Sequence, residues 1–298
     1  MSEITQSASL SLPAKSGTSF ALTRQQVVPI LLVAPLVIYI IVLYALPVAS
    51  MLLRSVNEPT WSLDHYKELM SDTVFFNTLS NTLYTAVIVT LGSLLLGYPV
   101  ALALVRSKRL APLILVVVLL PFWTSVLVRS YAWMVLLGRH GLINEALLSS
   151  GLINRPLRIL NTPLAVYIGM IHILLPYMIL PIANALRQID PSLARSAAGL
   201  GSPPWKTFLQ ITLPLSVPGV AAGGLLVFVL SLGFYITPAM LGGPRDITLS
   251  MLIAIQVDQL NWAYAACLSA VLLATALVVI AVFRRLPGIG NAFKMSAR

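Results

Sequence analysis

The chain has 298 residues, of which 58% are hydrophobic and only 9% are charged. A soluble domain carries about 25% charged residues, and a soluble fold this apolar could not cover its surface, so the composition excludes an ordinary soluble protein. The formal net charge of +10 could suggest a nucleic-acid partner. The positions of the charged residues decide whether such a partner is needed to explain the charge.

Long apolar runs predict an all-α integral membrane protein with six transmembrane helices. Each run is continuous and reaches the length of about 20 residues that a helix needs to span a bilayer, whereas a membrane β-barrel alternates apolar and polar residues in short strands. The first run is too long for the core of a signal peptide, and we interpret it as an uncleaved anchor. The predicted spans are residues 27–53, 80–105, 111–137, 163–186, 214–240 and 262–283.

The distribution of basic residues predicts the orientation of these spans. Twelve of the 19 basic residues fall in the two tails and in the loops that follow spans two and four. Basic residues are retained on the cytoplasmic side, so both termini are predicted to be cytoplasmic, and no nucleic acid is needed to explain the charge. The predicted segments are a tail over 1–26, a first transmembrane helix over 27–53, an extracytoplasmic segment over 54–79, a core domain over 80–284 with a cytoplasmic loop over 188–212, and a tail over 285–298.

The loop between spans four and five predicts two short helices that meet at a glycine turn. Asp190 is an N-cap residue followed by Pro191 at the first helical position. Gly199 and Gly201 indicate the end of this first helix, whose face carries mostly small side chains. An exposed helix with small side chains could enter a groove of a cytoplasmic partner, and an ordinary interfacial connector is the alternative.

The second helix of the loop is predicted to have an apolar face. Ser202 and Pro203 repeat the cap signal of the first helix, and Trp205 and Phe208 contribute to the apolar face. Pro214 predicts the end of this helix and the beginning of span five.

This loop resembles the EAA loop of ABC-importer permeases, in which a Glu-Ala-Ala triplet is followed by a glycine and then by a hydrophobic-x-Leu-Pro ending. The matching residues are Ser196, Ala197, Leu200, Gly201, Thr207, Phe208, Ile211, Leu213 and Pro214. The usual Glu of the family corresponds to Arg195, so an ion pair made by that Glu is not carried over. The resemblance implies contact with an ATPase through Arg195, Ser196, Ala197, Ala198, Leu200, Gly201, Phe208 and Pro214.

Other segments are similar to the spermidine/putrescine branch of these permeases. They are PFWTS at 121–125, Arg129 with YAW at 131–133, GLIN at 141–144 and LGGP at 241–244, while NTL at 81–83 resembles the start of the family's core domain. The resemblance covers most of the chain and implies the type I ABC importer permease fold, in a bacterial inner membrane. It also implies a second homologous permease subunit, a cytoplasmic ATPase dimer that binds ATP and Mg, and an extracytoplasmic solute-binding protein.

The resemblance implies a polyamine as the substrate. Transporters of opines and related amino compounds share much of the same pattern, so a substrate of that kind remains the alternative.

Sequence motifs for catalysis and cofactor binding are not found. The chain has no GxxxxGK[ST] loop, so it is not expected to bind ATP itself. Its three histidines are scattered and its single cysteine, Cys267, cannot form a disulfide within the chain. We therefore expect a subunit without catalysis and without a cofactor of its own. An ion-coupled secondary transporter and an intramembrane enzyme are less favoured, because the spans contain no clear acid and no catalytic set.

Side chains that could line a pathway for an organic cation occur mostly in spans three and five. Aromatic faces attract cations by roughly 0.5–2 kcal/mol each, although packing is the alternative role for these rings. Arg129 lies within span three, so its charge either faces the interior of the bundle or extends towards the outer surface. The candidate pathway residues are Trp123, Ser125, Arg129, Trp133, Phe234, Tyr235 and Asp258. In span five, Gly219 and Gly223 form a GxxxG pair that permits close helix packing.

Overall fold

The computed structural model describes residues 24–57 and 61–285. Most residues of the two predicted tails lie outside the described residues. The predicted cytoplasmic location of each terminus therefore stays a prediction. The helices are α1 (Arg24–Asn57), α2 (Asp64–Ser71), α3 (Thr73–Arg106), α4 (Ala111–Leu119), α5 (Val126–Leu137), α6 (Leu142–Ser149), α7 (Pro163–Arg187), α8 (Pro191–Gly199), α9 (Pro204–Thr207), α10 (Leu213–Leu232), α11 (Ile236–Leu241), α12 (Leu249–Asp258) and α13 (Trp262–Arg285).

The chain divides into two units, residues 1–50 and residues 51–298. In the first unit the described part is the apolar N-terminal portion of α1. Within Leu32–Asn57, the most apolar 18-residue window has a mean hydropathy of 2.5, which is enough for a membrane span.

In the second unit, α7 is the central helix and packs against both α3 and α10. Close approach of α7 and α10 depends on the GxxxG pair of α10. A Cβ atom at Gly219 would lie only 2.5 Å from the Cβ of Ala185, and one at Gly223 would lie 3.1 Å from the carbonyl oxygen of Met178. Because the absence of these side chains lets the two backbones meet, the predicted packing role of the pair is confirmed.

The all-α membrane class is confirmed, but the third predicted span is not one helix. Within the described residues, five helices are long and apolar enough to cross a membrane, and a sixth span exists only if a bent pair is counted as one. The predicted run 111–137 is broken into α4, a 3-10 turn over Leu120–Trp123, and α5. The segment Ala111–Trp123 and the segment Val126–Ser149 are bent relative to each other by 103°. The bend follows Pro121, which has no N–H for the regular helical hydrogen bond, and the backbone is extended at Thr124 and Ser125.

Two other predicted spans have wrong boundaries. The span predicted over 214–240 ends at Leu232, since Gly233–Tyr235 interrupts the helix before α11. The span predicted over 80–105 belongs to a helix that already begins at Thr73, where Asp72 accepts a hydrogen bond from the backbone N–H of Val74 at 2.8 Å. The cap explains the earlier start, because it satisfies a donor that the first turn leaves open.

Candidate functional site

Two interruptions of membrane-length helices meet at one cavity of about 380 Å³. One is the turn between α4 and α5, and the other is the break between α10 and α11. The cavity is lined by Phe122, Thr124, Ser125, Val126, Arg129, Ile173, Leu174, Tyr177, Leu230 and Phe234. Irregular backbone at membrane depth is tolerated only where protein buries it or where it lines a water-filled space. The cavity is therefore a candidate place for a polar solute to contact the chain.

The break after α10 is held in place by hydroxyl groups from the next segment. The Ser250 hydroxyl donates a hydrogen bond to the carbonyl oxygen of Phe234 at 2.8 Å. Ser250 also lies 2.9 Å from the hydroxyl of Thr248. The first of these bonds satisfies a carbonyl that the interrupted helix leaves without its usual partner, so the break is a fixed feature of the cavity wall.

Arg129 brings a positive charge to this cavity. Its Nε atom is buried and has no hydrogen-bond partner among the described residues, and no carboxylate is among the residues that line the cavity. A guanidinium group has five N–H donors and stays protonated in proteins. The cavity therefore has an unfilled capacity to donate hydrogen bonds to an acceptor from outside the described chain.

Aromatic rings form part of the cavity wall. The rings of Phe122 and Tyr177 have centroids 5.1 Å apart, and Phe234 lies at the opposite helix break. Trp133, by contrast, donates from Nε1 to Nδ1 of His172 at 3.2 Å. It does not line the cavity, and its role in the structure is to join α5 to α7.

The structure brings together only some of the predicted pathway residues. Ser125, Arg129 and Phe234 line the cavity. Four do not line it: Trp123 and Tyr235, which are exposed beside the breaks, Trp133, and Asp258, which is exposed at the end of α12. Three further residues line the cavity that were not predicted as pathway residues: Phe122, Thr124 and Tyr177. Phe122 and Thr124 lie inside the PFWTS segment, so a signal for them was present in the sequence.

The loop after α7 presents an exposed helix. The Asp190 carboxylate accepts a hydrogen bond from the backbone N–H of Ser192 at 2.8 Å and caps α8. This bond holds the pKa of the Asp190 carboxyl below its ordinary value. The cap is therefore fully formed at neutral pH and is lost only in acid, as the pH falls through that lowered pKa.

The predicted glycine turn follows α8. No side chain of α8 is buried, and Leu200 is 89% exposed. Gly201 has φ of +79°, a conformation that glycine adopts without the steric cost that other residues incur.

The second half of the loop differs from the prediction in two respects. Pro203, and not Ser202, occupies the N-cap position of α9, and no side chain caps that helix. The helix does not end at Pro214 either, because a π-helical turn over Phe208–Thr212 carries α9 directly into α10. Pro214 has no N–H to donate, and the wide turn before it lets the helix continue without that bond. The result is one helix over Pro204–Leu232.

Phe208 attaches this long helix to α3. Its ring meets that of Tyr98 edge to face, with centroids 5.9 Å apart, and the Tyr98 hydroxyl lies 2.8 Å from that of Ser216 on α10. Trp205, which was predicted to share the apolar face, is 66% exposed. Phe208 is therefore the aromatic anchor of the loop, whereas Trp205 packs little against the rest of the described chain.

A bundle of interrupted membrane helices, with a cavity at the breaks and an exposed helical loop, is typical of a transport permease. Residues 93–286 match the family described as "Binding-protein-dependent transport system inner membrane component". The chain belongs to this family of multi-pass membrane permeases.

Relatives of known name place the chain close to one branch of the family. It is 36% identical over 211 residues to the spermidine/putrescine transport system permease protein PotB of Salmonella typhimurium (strain SL1344), covering 70% of this chain and 73% of that protein. It is also 36% identical over 211 residues to PotB of Escherichia coli (strain K12), covering 70% and 76%. The predicted resemblance to the spermidine/putrescine branch of ABC permeases is thereby confirmed.

A solved structure shares the fold. It is a bacterial alginate ABC transporter in complex with alginate pentasaccharide-bound periplasmic protein, and it covers 88% of this chain and 94% of the matched chain with a TM-score of 0.71. The sequence identity is 20%, so this likeness supports the predicted permease fold and nothing about the substrate.

Proposed function

We propose that this chain is one of two homologous permease subunits of an ATP-driven importer in a bacterial inner membrane. The importer also contains two cytoplasmic ATPase subunits, which bind ATP and Mg²⁺, and an extracytoplasmic solute-binding protein. The observation that carries the proposal is the helix Pro204–Leu232, which begins in the exposed loop and ends at the break that lines the cavity.

In the proposed mechanism, the loop over 188–212 contacts the ATPase and follows its motion. ATP closes the ATPase dimer and displaces α8 and α9. Because α9 and α10 belong to one helix of 29 residues, the displacement is transmitted along that helix to the cavity about 40 Å away. The anchor between Phe208 and Tyr98 couples α3 to the same movement. The cavity then opens alternately to the two sides of the membrane, and this chain works as a gate.

The proposed substrate is a polyamine such as spermidine or putrescine. The close relatives named for that transport support this choice, and the rings of Phe122, Tyr177 and Phe234 provide faces that attract an organic cation. A second candidate is an amino compound that carries a carboxylate. It is favoured by Arg129, whose buried Nε lacks an acceptor among the described residues, since guanidinium groups bind carboxylates well.

Uptake by the complete importer in proteoliposomes tests the proposal. With binding protein outside and ATP inside, radiolabelled spermidine or putrescine should accumulate, and omission of ATP should stop accumulation. Phe122→Ala should slow uptake several-fold by removing a ring from the cavity wall, because a cation–π contact is worth about 0.5–2 kcal/mol. Trp123→Ala is the matched control, since that neighbouring ring does not line the cavity.

Three outcomes of this assay have distinct meanings. Import of a carboxylate-bearing amino compound in place of polyamines would favour the second candidate. Uptake driven by an ion gradient without ATP would reject the importer mechanism. Equal slowing by Phe122→Ala and Trp123→Ala would reject the cavity as the pathway.

A further inference from the structure

A second cavity, of about 460 Å³, lies between the end of α5 and the segment that leads into α7. Two arginines line it, Arg139 from the α5 side and Arg158 from the other side. Both side chains are exposed. By the predicted orientation, this basic cleft faces the extracytoplasmic side, opposite the loop over 188–212.

The buried side chain of Asn144 holds the two walls of the basic cleft together. Its Nδ2 donates to the carbonyl oxygens of Gly138 and Leu157, both at 3.0 Å. Its Oδ1 accepts from the backbone N–H of Leu157 at 2.8 Å. Gly138 and Leu157 immediately precede the two arginines, so one amide group fixes the backbone at the base of both basic side chains.

Neither arginine of the cleft forms an ion pair within the part of the chain that the structure describes. The ion pair found there, Lys67 with Asp64 at 3.1 Å, is on α2, as is the 4.0 Å contact of His65 with Glu68, which is an ion pair only when His65 is protonated. No carboxylate lines the cleft itself. Two guanidinium groups at one rigid cleft favour an anionic partner, and carboxylates match the planar donor geometry of arginine.

We infer that the basic cleft is the docking site for an acidic projection of the extracytoplasmic solute-binding protein. This inference rests on the proposed function and adds the surface and the charge of the partner to it. The arginines lie beyond the end of α5, outside the apolar helices, where a protein partner can reach them. The volume of the cleft suits a few side chains of a loop, and the fixed backbone lets them bind without first ordering the cleft.

Titration of the binding protein against the assembled importer tests the inference. The complex is placed in nanodiscs of uncharged phosphatidylcholine, and ATP hydrolysis is measured as substrate-loaded binding protein is added. Replacing both arginines, Arg139→Gln with Arg158→Gln, should raise the half-stimulating concentration about tenfold and weaken its dependence on ionic strength. Arg155→Gln removes the same charge from the same segment but outside the cleft, and it should titrate as the unaltered complex does.

A conservative pair separates charge from structure. Arg139→Lys with Arg158→Lys keeps both positive charges and should lose much less than the glutamine pair. If the glutamine pair does not assemble, the lysine pair tested at rising ionic strength still reports whether charge governs docking.

Several results would overturn the inference. An unchanged titration of the glutamine pair would do so, as would an equal loss in Arg155→Gln, which would indicate a diffuse field in place of a site. Loss of the arginine effect when anionic lipid replaces phosphatidylcholine would assign the cleft to lipid headgroups. Failure of the unaltered complex to respond to any binding protein would instead reject the proposed function.

Discussion

Gly201 fixes the turn between the two loop helices at a backbone conformation that disfavours any side chain. Its φ is +79°, and a Cβ atom there would meet nothing within 4 Å, so a substitution is strained by the backbone alone. Gly201→Ala should cost about 1–2 kcal/mol of local stability and lower substrate-stimulated ATP hydrolysis of the importer several-fold.

The neighbouring Gly199 provides the control for this prediction. It lies in α8 without a positive φ and also has open space around its Cβ position. Gly199→Ala should therefore leave the hydrolysis rate unchanged or slightly higher. If both variants reduce the rate equally, an added methyl group and not the turn conformation is responsible, and the assignment of Gly201 fails.

At the scale of single residues, the sequence predicts what local chemistry determines and misses what depends on distant chain. The Asp190 cap and the glycine turn follow from residues a few positions apart, and both are present. The contribution of Tyr177 to the cavity could not be predicted, because it depends on how α7 meets the break between α4 and α5. For the same reason the sequence does not predict that Trp133 donates a hydrogen bond to His172 on α7.

The close packing of α10 on α7 leaves no room for a side chain at Gly219. A Cβ at Gly219 would lie 2.7 Å from the carbonyl oxygen of Pro181 and 2.5 Å from the Cβ of Ala185. Gly219→Ala therefore forces the two helices apart and should cost about 1–3 kcal/mol, the usual range for overpacking. The purified importer should show a lower thermal midpoint in a fluorescence-detected chromatography assay.

Gly224 is the matched control on the same helix. It is also buried, but a Cβ atom there would make only an ordinary contact, 3.8 Å from Cγ2 of Thr90. Gly224→Ala should leave the thermal midpoint within error of the unaltered protein. A drop as large as that of Gly219→Ala would mean that α10 tolerates no added volume anywhere, and the specific contact with α7 would not be the cause.

At the scale of elements, apolar length predicts how many runs could cross the membrane but not where each helix is interrupted. The prolines that break helices and those that helices tolerate look alike in the sequence. Pro121 stands at the break between α4 and α5, whereas Pro176 and Pro181 lie inside an unbroken α7. Pro214 was predicted to stop a helix, and a π-helical turn carries the chain past it. Packing around each proline decides the outcome, and that is not visible in a local pattern.

Across the whole molecule, a continuous helix joins an exposed loop to a cavity between two helix breaks. This arrangement connects the loop over 188–212 with the cavity that is lined by Ser125, Arg129 and Phe234. The proposed function therefore requires that the loop and the segment before α7 lie on opposite sides of the membrane, with the loop against an ATPase.

A single cysteine at position 200 tests this requirement most directly. Leu200 is 89% exposed, so the cysteine of Leu200→Cys in a Cys267→Ala background should be accessible to a thiol reagent. Ser150→Cys, in the exposed turn after α6, is the matched position on the predicted outer side. In intact cells an impermeant thiol reagent should label the cysteine at position 150 and leave the cysteine at position 200 unlabelled. In inverted vesicles a thiol–amine cross-linker should join position 200 to the ATPase subunit. Labelling of position 200 from outside the cell, or its failure to cross-link in a complex that hydrolyses ATP, would contradict the account.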